Sequence, residues 1–145
     1  MSPIQAFGPQ ADNQSPAFSG HNAYRSDPLL KDIAADMPRA LRTDFETVGK
    51  FVASAEAQDL ARIANRAVPE LRTHDGFGNR IDQVDFHPSG HALMRRGVAS
   101  GLQGSVWEGR REEAGYAHQA RAIRFFLTAG LESGHLCPLT MTNAS

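Results

Sequence analysis

YAHQARAIRFFLTAGL, residues 116–131, decides how the rest of the chain is read. Tyr116, Ala120, Ile123, Leu127 and Leu131 recur at spacings of four, three, four and four, so they lay one apolar stripe along a helix. Phe125 and Phe126 are expected to widen that stripe. Such a face must pack on other helices, and the sequence upstream supplies them. Ala57, Leu60, Ala61 and Ala64 repeat at i, i+3, i+4 and i+7, a face of small side chains suited to close helix approach. Pro88 opens a further helix, with Leu93, Met94 and Val98 as core positions and Gly101 as its stop. Asp27 ahead of Pro28 starts another, in which Leu29, Leu30, Ile33 and Met37 share a stripe until Pro38. TDFE, residues 43–46, reads as a capping box, with Phe45, Val48 and Val52 continuing its helix.

Between these helices the period breaks. THDGFGNRIDQVDFH, residues 73–87, carries the turn pairs Asp75-Gly76 and Gly78-Asn79, and Ile81, Val84 and Phe86 give only fragmentary alternation. A turn-rich excursion with one short hairpin is expected there. A looser stretch holding Trp107 and EGRREE precedes the long helix. Downstream, Gly134 ends that helix and Cys137-Pro138 begins another, which is expected to be cut short at Ser145 with too few turns to stand alone. Residues 1–26 are rich in Pro, Ser, Gln, Asn and Gly and read as an extended arm. It is either a free tail or a segment anchored by Phe18 and Tyr24. The fold class is therefore mostly all-α: an arm over residues 1–26 and a helical unit over residues 27–145.

Composition narrows the function. The 145 residues are 41% hydrophobic and 21% charged, ordinary globular usage that sets aside disorder and fibrous classes. The formal net charge is −1, and the halves divided after Arg72 carry −1 and 0. Binding that lives on phosphate contacts along a nucleic acid normally needs a basic excess, so that class is disfavoured. A single cysteine forms no internal disulfide. The first residues lack the basic start and apolar run of a signal peptide, and no run suggests a membrane span. A cytoplasmic protein is expected.

No side-chain constellation names a catalytic site. His87 and His91 stand four apart at a helix start, with His74, Asp75 or Asp85 as a third possible metal ligand. The spacing is not that of HExxH, and helix capping by His87 with packing of His91 is the favoured reading. Cys137 near a helix start, with His135 or His118, gives the elements of a thiolate nucleophile but no third orienting group. Neither a GxSxG elbow nor a phosphate-binding GxGxxG or Walker loop occurs, and GFGNR at residues 76–80 reads as a turn. Of the basic pairs, Arg95-Arg96 and Arg110-Arg111, the second is neutralised by Glu108, Glu112 and Glu113. Arg121 and Arg124 lie on the strongly apolar helix and are expected to pair with Glu132 or with another subunit.

Three stretches carry a resemblance. NQSPAFSGHNAYRSDPLL (13–30), SAEAQDLARIANRAVPELRTHDGFGNRIDQVDFHPSGHALM (54–94) and GLESGHLCPLTMTNAS (130–145) resemble the N-terminal region of the acyl-CoA dehydrogenase superfamily. The likeness is to its adaptive-response, AidB-like branch linked to alkylation damage, and it covers nearly the whole chain from Asn13. It implies a helical N-terminal domain, followed in the family by a β-domain and a second helical domain. FAD, the catalytic carboxylate and, in this branch, the DNA-binding region belong to those later parts and to neighbouring subunits of a homotetramer. The parent reaction it implies is α,β-dehydrogenation of an acyl thioester, with a carboxylate taking the α-proton and FAD accepting hydride. Within this chain the resemblance assigns no catalytic, cofactor or metal residue. It places Thr140, Met141 and Thr142, on the helix matching CPLTMT, along the acyl pocket. The alternative is a non-enzymatic assembly module that works through its contacts with other chains.

Overall fold

The computed structural model describes residue 15 and residues 17–145. Among the described residues it holds seven α-helices, one short 3-10 turn and one two-stranded sheet. Residues 1–14 and 16 of the arm lie outside the described residues.

Helices α1 (Ala23–Ser26) and α2 (Pro28–Ile33) are short and joined by Asp27, which ends the first and caps the second. The Asp27 carboxylate accepts from the N–H groups of Leu29 and Leu30, and Pro28 sits at the first helical position. This start agrees with the sequence; the expected stripe does not. Leu30 and Met37 are buried, whereas Leu29 and Ile33 face solvent, because the helix ends at Ile33 and the chain reaches Met37 through turns. Of the two proposed anchors, Tyr24 is buried and Phe18 is exposed, its ring lying 4.0 Å from that of His21.

Helix α3 (Arg39–Val52) begins one turn earlier than the capping-box reading places it. Pro38 precedes it at the cap position, so it opens α3 rather than merely closing α2. Thr43 and Glu46 lie inside the helix: the Thr43 carbonyl accepts from Thr47 Oγ1, and Glu46 pairs with Arg25 of α1. The polar-x-x-Glu spacing was present, but four helical residues with adequate propensity stood ahead of it.

Helix α4 (Ala55–Arg66) is capped by Ser54, whose hydroxyl accepts from Ala57 N–H. Ala57 and Ala61 are buried, and Leu60 and Ala64 are half-buried, so its small-residue face is only partly covered. Strands β1 (Glu70–His74) and β2 (Arg80–Asp85) then form an antiparallel hairpin in which every residue is exposed. Asp75 organises its turn by accepting from the N–H groups of Phe77 and Asn79, while Gly78 takes a positive φ of 86°. Pairing runs Arg72 to Gln83 and then His74 to Arg80, so β2 carries one extra residue, and Asp82 there adopts φ 44°.

Helix α5 (Pro88–Ala99) packs on α4 and on α7 (Leu136–Ala144), and Gly101 with φ 71° follows its end as expected. Leu93 is buried and Met94 half-buried, but Val98 is exposed. Gly97 takes the contact position instead: a Cβ there would lie 2.5 Å from Leu139 Cδ1. Helix α6 (Ala117–Ala129) packs on α3, with Ala120, Ile123 and Leu127 buried in the main core beside Leu41, Phe45, Val48 and Val52. Phe126 points to solvent, which corrects the widened stripe, and Phe125 joins a second cluster with Leu102, Leu136 and Leu139.

In the main core α1 comes close to α3 at Gly49. A Cβ on Gly49 would meet Asn22 Oδ1 and Tyr24 N at 2.6 Å. Gly49→Ala is therefore expected to lower stability by about 1–3 kcal/mol, read as a lower urea midpoint. An unchanged midpoint would show that α1 does not rest on this position.

Candidate functional site

Helix α7 holds the three residues expected to face a ligand. Leu136 and Leu139 turn inward and fix the helix on α5, leaving Thr140, Met141 and Thr142 exposed on the outer face. Met141 is 69% exposed. The Thr142 hydroxyl donates to the Pro138 carbonyl, 3.0 Å away, and so lies along its own helix. The three side chains share one end of the chain but do not converge on a common atom. They can form a wall; alone they cannot enclose a flavin, and no chemical step is assigned to them.

Beside the first turn of α7 runs a largely apolar groove of about 540 Å³. Val68, Phe86, Met94 and Pro138 line it, and His91 and His135 stand at its polar points. It takes in Pro138 but not Thr140, Met141 or Thr142. His135 is held in place by Glu132: ring Nδ1 lies 2.6 Å and backbone N 3.0 Å from Oε2, and Gly134 N–H donates to Oε1. Burial pushes the Glu132 carboxyl upward, but these hydrogen bonds outweigh it and hold the group below the usual carboxylate range. His135 Nε2 is buried without a hydrogen-bond partner among the described residues.

The other sequence candidates separate. His87 caps α5, its Nδ1 accepting from Ser89 N–H at 3.2 Å, and His91 stacks edge-on to Phe86. Among the described residues no group of three His, Cys, Asp or Glu converges as a metal site. Cys137 is exposed, His135 is committed to Glu132, and His118 meets the Trp107 ring, so no thiolate–imidazole pair forms.

Arg124 corrects the expectation of a bond to Glu132. It is 3% exposed, with Nη1 2.7 Å from Glu113 Oε1 and Nε 2.6 Å from Asp44 Oδ2. Burial opposes its charge, but the two carboxylates outweigh that and raise its pKa. Arg121 reaches the Leu102 carbonyl at 2.7 Å instead of an acid. The sequence did show Arg124 on an apolar helix; its partners, 80 and 11 residues away, could be found only by folding.

Comparison with known proteins now bears on this arrangement. Residues 13–145 match the family model of the adaptive response protein AidB N-terminal domain. The chain belongs to that family. AidB-like N-terminal domains are part of the acyl-CoA dehydrogenase family, and the relatives agree. The chain is 37% identical over 134 residues to the putative acyl-CoA dehydrogenase AidB of Escherichia coli (strain K12), covering 92% of this chain and 24% of that protein. It is 29% identical over 136 residues to acyl-CoA dehydrogenase family member 11 of Caenorhabditis elegans, covering 86% of this chain and 21% of that protein. The fold matches the solved structure of Bd2924 in its apo form with a TM-score of 0.76 at 21% identity, over 90% of this chain and 26% of that one. It also matches Caenorhabditis elegans ACDH-11 in complex with C11-CoA, with a TM-score of 0.73 at 21% identity, over 96% of this chain and 24% of that one. The chain thus spans about a quarter of the length of these relatives.

Two measurements test the electrostatics of this AidB-like domain. Arg124→Leu takes the nearer cation from the buried Glu113 carboxylate, leaving it only Arg110 Nη1 at 3.8 Å, and a loss of about 3 kcal/mol is expected in urea unfolding. The lowered Glu132 pKa gives stability that is fully present above the ordinary value of 4.5 and is lost as pH falls through the folded value. Glu132→Gln is therefore expected to flatten the acid limb of the stability–pH curve. An unchanged limb would remove Glu132 as its source.

Proposed function

We propose that this chain serves as the N-terminal helical part of a larger FAD-dependent acyl-CoA dehydrogenase-like protein, where the outer face of α7 forms one wall of an acyl pocket. The observation that carries this reading is the division of α7 itself. Leu136 and Leu139 anchor it, while Thr140, Met141 and Thr142 stand uncovered next to an apolar groove. A thioether between two small hydroxyl side chains suits an acyl chain near its polar end, because Met adapts its shape to an apolar partner. The C11-CoA held by the structural neighbour supports an acyl thioester as the ligand. In such a protein FAD supplies the redox chemistry when bound, and this chain's residues position and shield the substrate. The parent reaction would be α,β-dehydrogenation, with its base and flavin site outside this chain.

A second reading, an assembly module without activity of its own, draws on a different observation. Val68 is 80% exposed, Phe77 94% and Phe86 56%, all on or beside the hairpin. Val68 and Phe86 line one groove, and large apolar side chains grouped in this way are often covered by another protein surface. The same surface serves subunit contacts in the first reading, so the two part on α7.

Intact-mass measurement of the polypeptide from its source is expected to give several times 15.7 kDa; a mass equal to that value would overturn the larger-protein reading. In that protein, Met141→Arg is expected to weaken undecanoyl-CoA binding by about tenfold or more, since a buried charge opposite an apolar chain is costly. Unchanged affinity with normal assembly would favour the assembly reading.

A further inference from the structure

Where α1, α2 and the first half of α3 meet, one concavity draws most of its charged lining from cations, while Asp27, Asp32, Asp36 and Asp44 of the same segments lie outside that lining. Arg39, Arg42, Thr43, Glu46 and Lys50 follow helical spacing along one face of α3. A hollow of about 480 Å³ opens there, lined by Arg25, Lys31, Arg39, Arg42, Glu46 and the edge of Tyr24. Glu46 is its one carboxylate, and it is already bound by Arg25 at 2.7 Å. Lys31, Arg39 and Arg42 enter no ion pair among the described residues, in contrast to Arg25 beside them. Three cations outside any ion pair therefore line one concavity, in a chain whose net charge is −1.

The hollow also has a fixed floor. Tyr24 is 4% exposed, its ring packed at 5.6 Å from that of Phe45, and it lines the hollow beside Arg42 and Glu46, whose charges reach its hydroxyl. Burial, the Arg42 charge and the Glu46 charge all act on that hydroxyl, burial most strongly, and its pKa is raised. It stays a protonated donor at neutral pH. Arg42 is itself oriented, because Nη1 donates to the Ala35 carbonyl at 2.7 Å, leaving its other N–H groups free. Thr43 adds a second hydroxyl at the rim.

We propose that this hollow binds a phosphate group, either as the free anion or as the end of a phosphate monoester. A ligand here must carry more than one negative charge and several acceptor oxygens to answer three cations and a phenolic donor. Phosphate meets both conditions, and guanidinium forks match its oxygens in a way a single carboxylate does not.

The test is phosphorus NMR titration of the 145-residue chain with inorganic phosphate and, separately, with methyl phosphate, at low ionic strength. Saturable binding is expected with a Kd of about 1 mM or tighter, weakening as salt is raised. Preference for one probe identifies free phosphate or the monoester as the better ligand. Tyr24→Phe keeps the ring in the core and is expected to weaken binding by about two- to tenfold. The pair Lys31→Gln and Arg39→Gln, neither side chain in an ion pair, is expected to cost about tenfold or more. Arg66→Gln removes a cation that does not line the hollow and is expected to leave Kd unchanged. Circular dichroism confirms that each variant keeps its helices. Non-saturable binding, or equal weakening by all the variants, would show only diffuse charge attraction and overturn the proposal.

Discussion

The packing of α3 against α6 depends on one buried cation. Arg124 stands on α6 beside the apolar residues that make the core, and it reaches Asp44 on α3 and Glu113 in the 3-10 turn Arg111–Glu113. Its guanidinium also lies over the Phe45 ring, 5.9 Å from the centroid. A charge in this position has to be matched, and each of its partners comes from a different part of the chain. The result is a registration device: sliding or rotating α6 on α3 takes the buried Arg124 guanidinium away from Asp44. The loop between α5 and α6 is fixed by the same contact, since Glu113 belongs to its last turn.

From that clamp the rest follows outward. Leu127 and Ile123 meet Phe45 and Val48, Tyr24 closes the far side of the same core, and Gly49 lets α1 come within backbone distance of α3. The second cluster, around Leu102, Leu136 and Leu139, seats α7 through Gly97 of α5. Two glycines thus set two helix contacts, and each leaves a surface outside it: the basic hollow beyond α1, and the exposed α7 face beyond α5.

The helices were legible wherever local chemistry was sufficient. Asp27-Pro28, His87-Pro88 and Gly101 all mark boundaries by interactions spanning four residues or fewer, and the structure keeps them. Orientation was less legible. Leu29, Val98 and Phe126 had helical spacing, but which apolar side chain turns inward depends on the partner helix, which the period does not encode. Thr43 and Glu46 had capping spacing, yet residues ahead of them could extend the helix, and Glu46 found a better partner in Arg25. The α7 residues were named through a family likeness, and the chain's membership in that family bears out the likeness. The basic hollow escaped notice because its cations come from three helices and leave no run in the sequence.

The hairpin between α4 and α5 displays apolar side chains at two open strand edges, a combination that normally invites copies of a chain to stack edge to edge. Its irregularity works against that outcome. The extra residue in β2 and the left-handed backbone of Asp82 interrupt the ladder midway, and Arg72 and Asp85 bridge the strands with charge near one end. A neighbouring strand can follow neither edge for more than a few residues. The ribbon can keep its apolar side chains on display for a folded surface while resisting the fibrous self-association that a flat ribbon of the same composition would undergo.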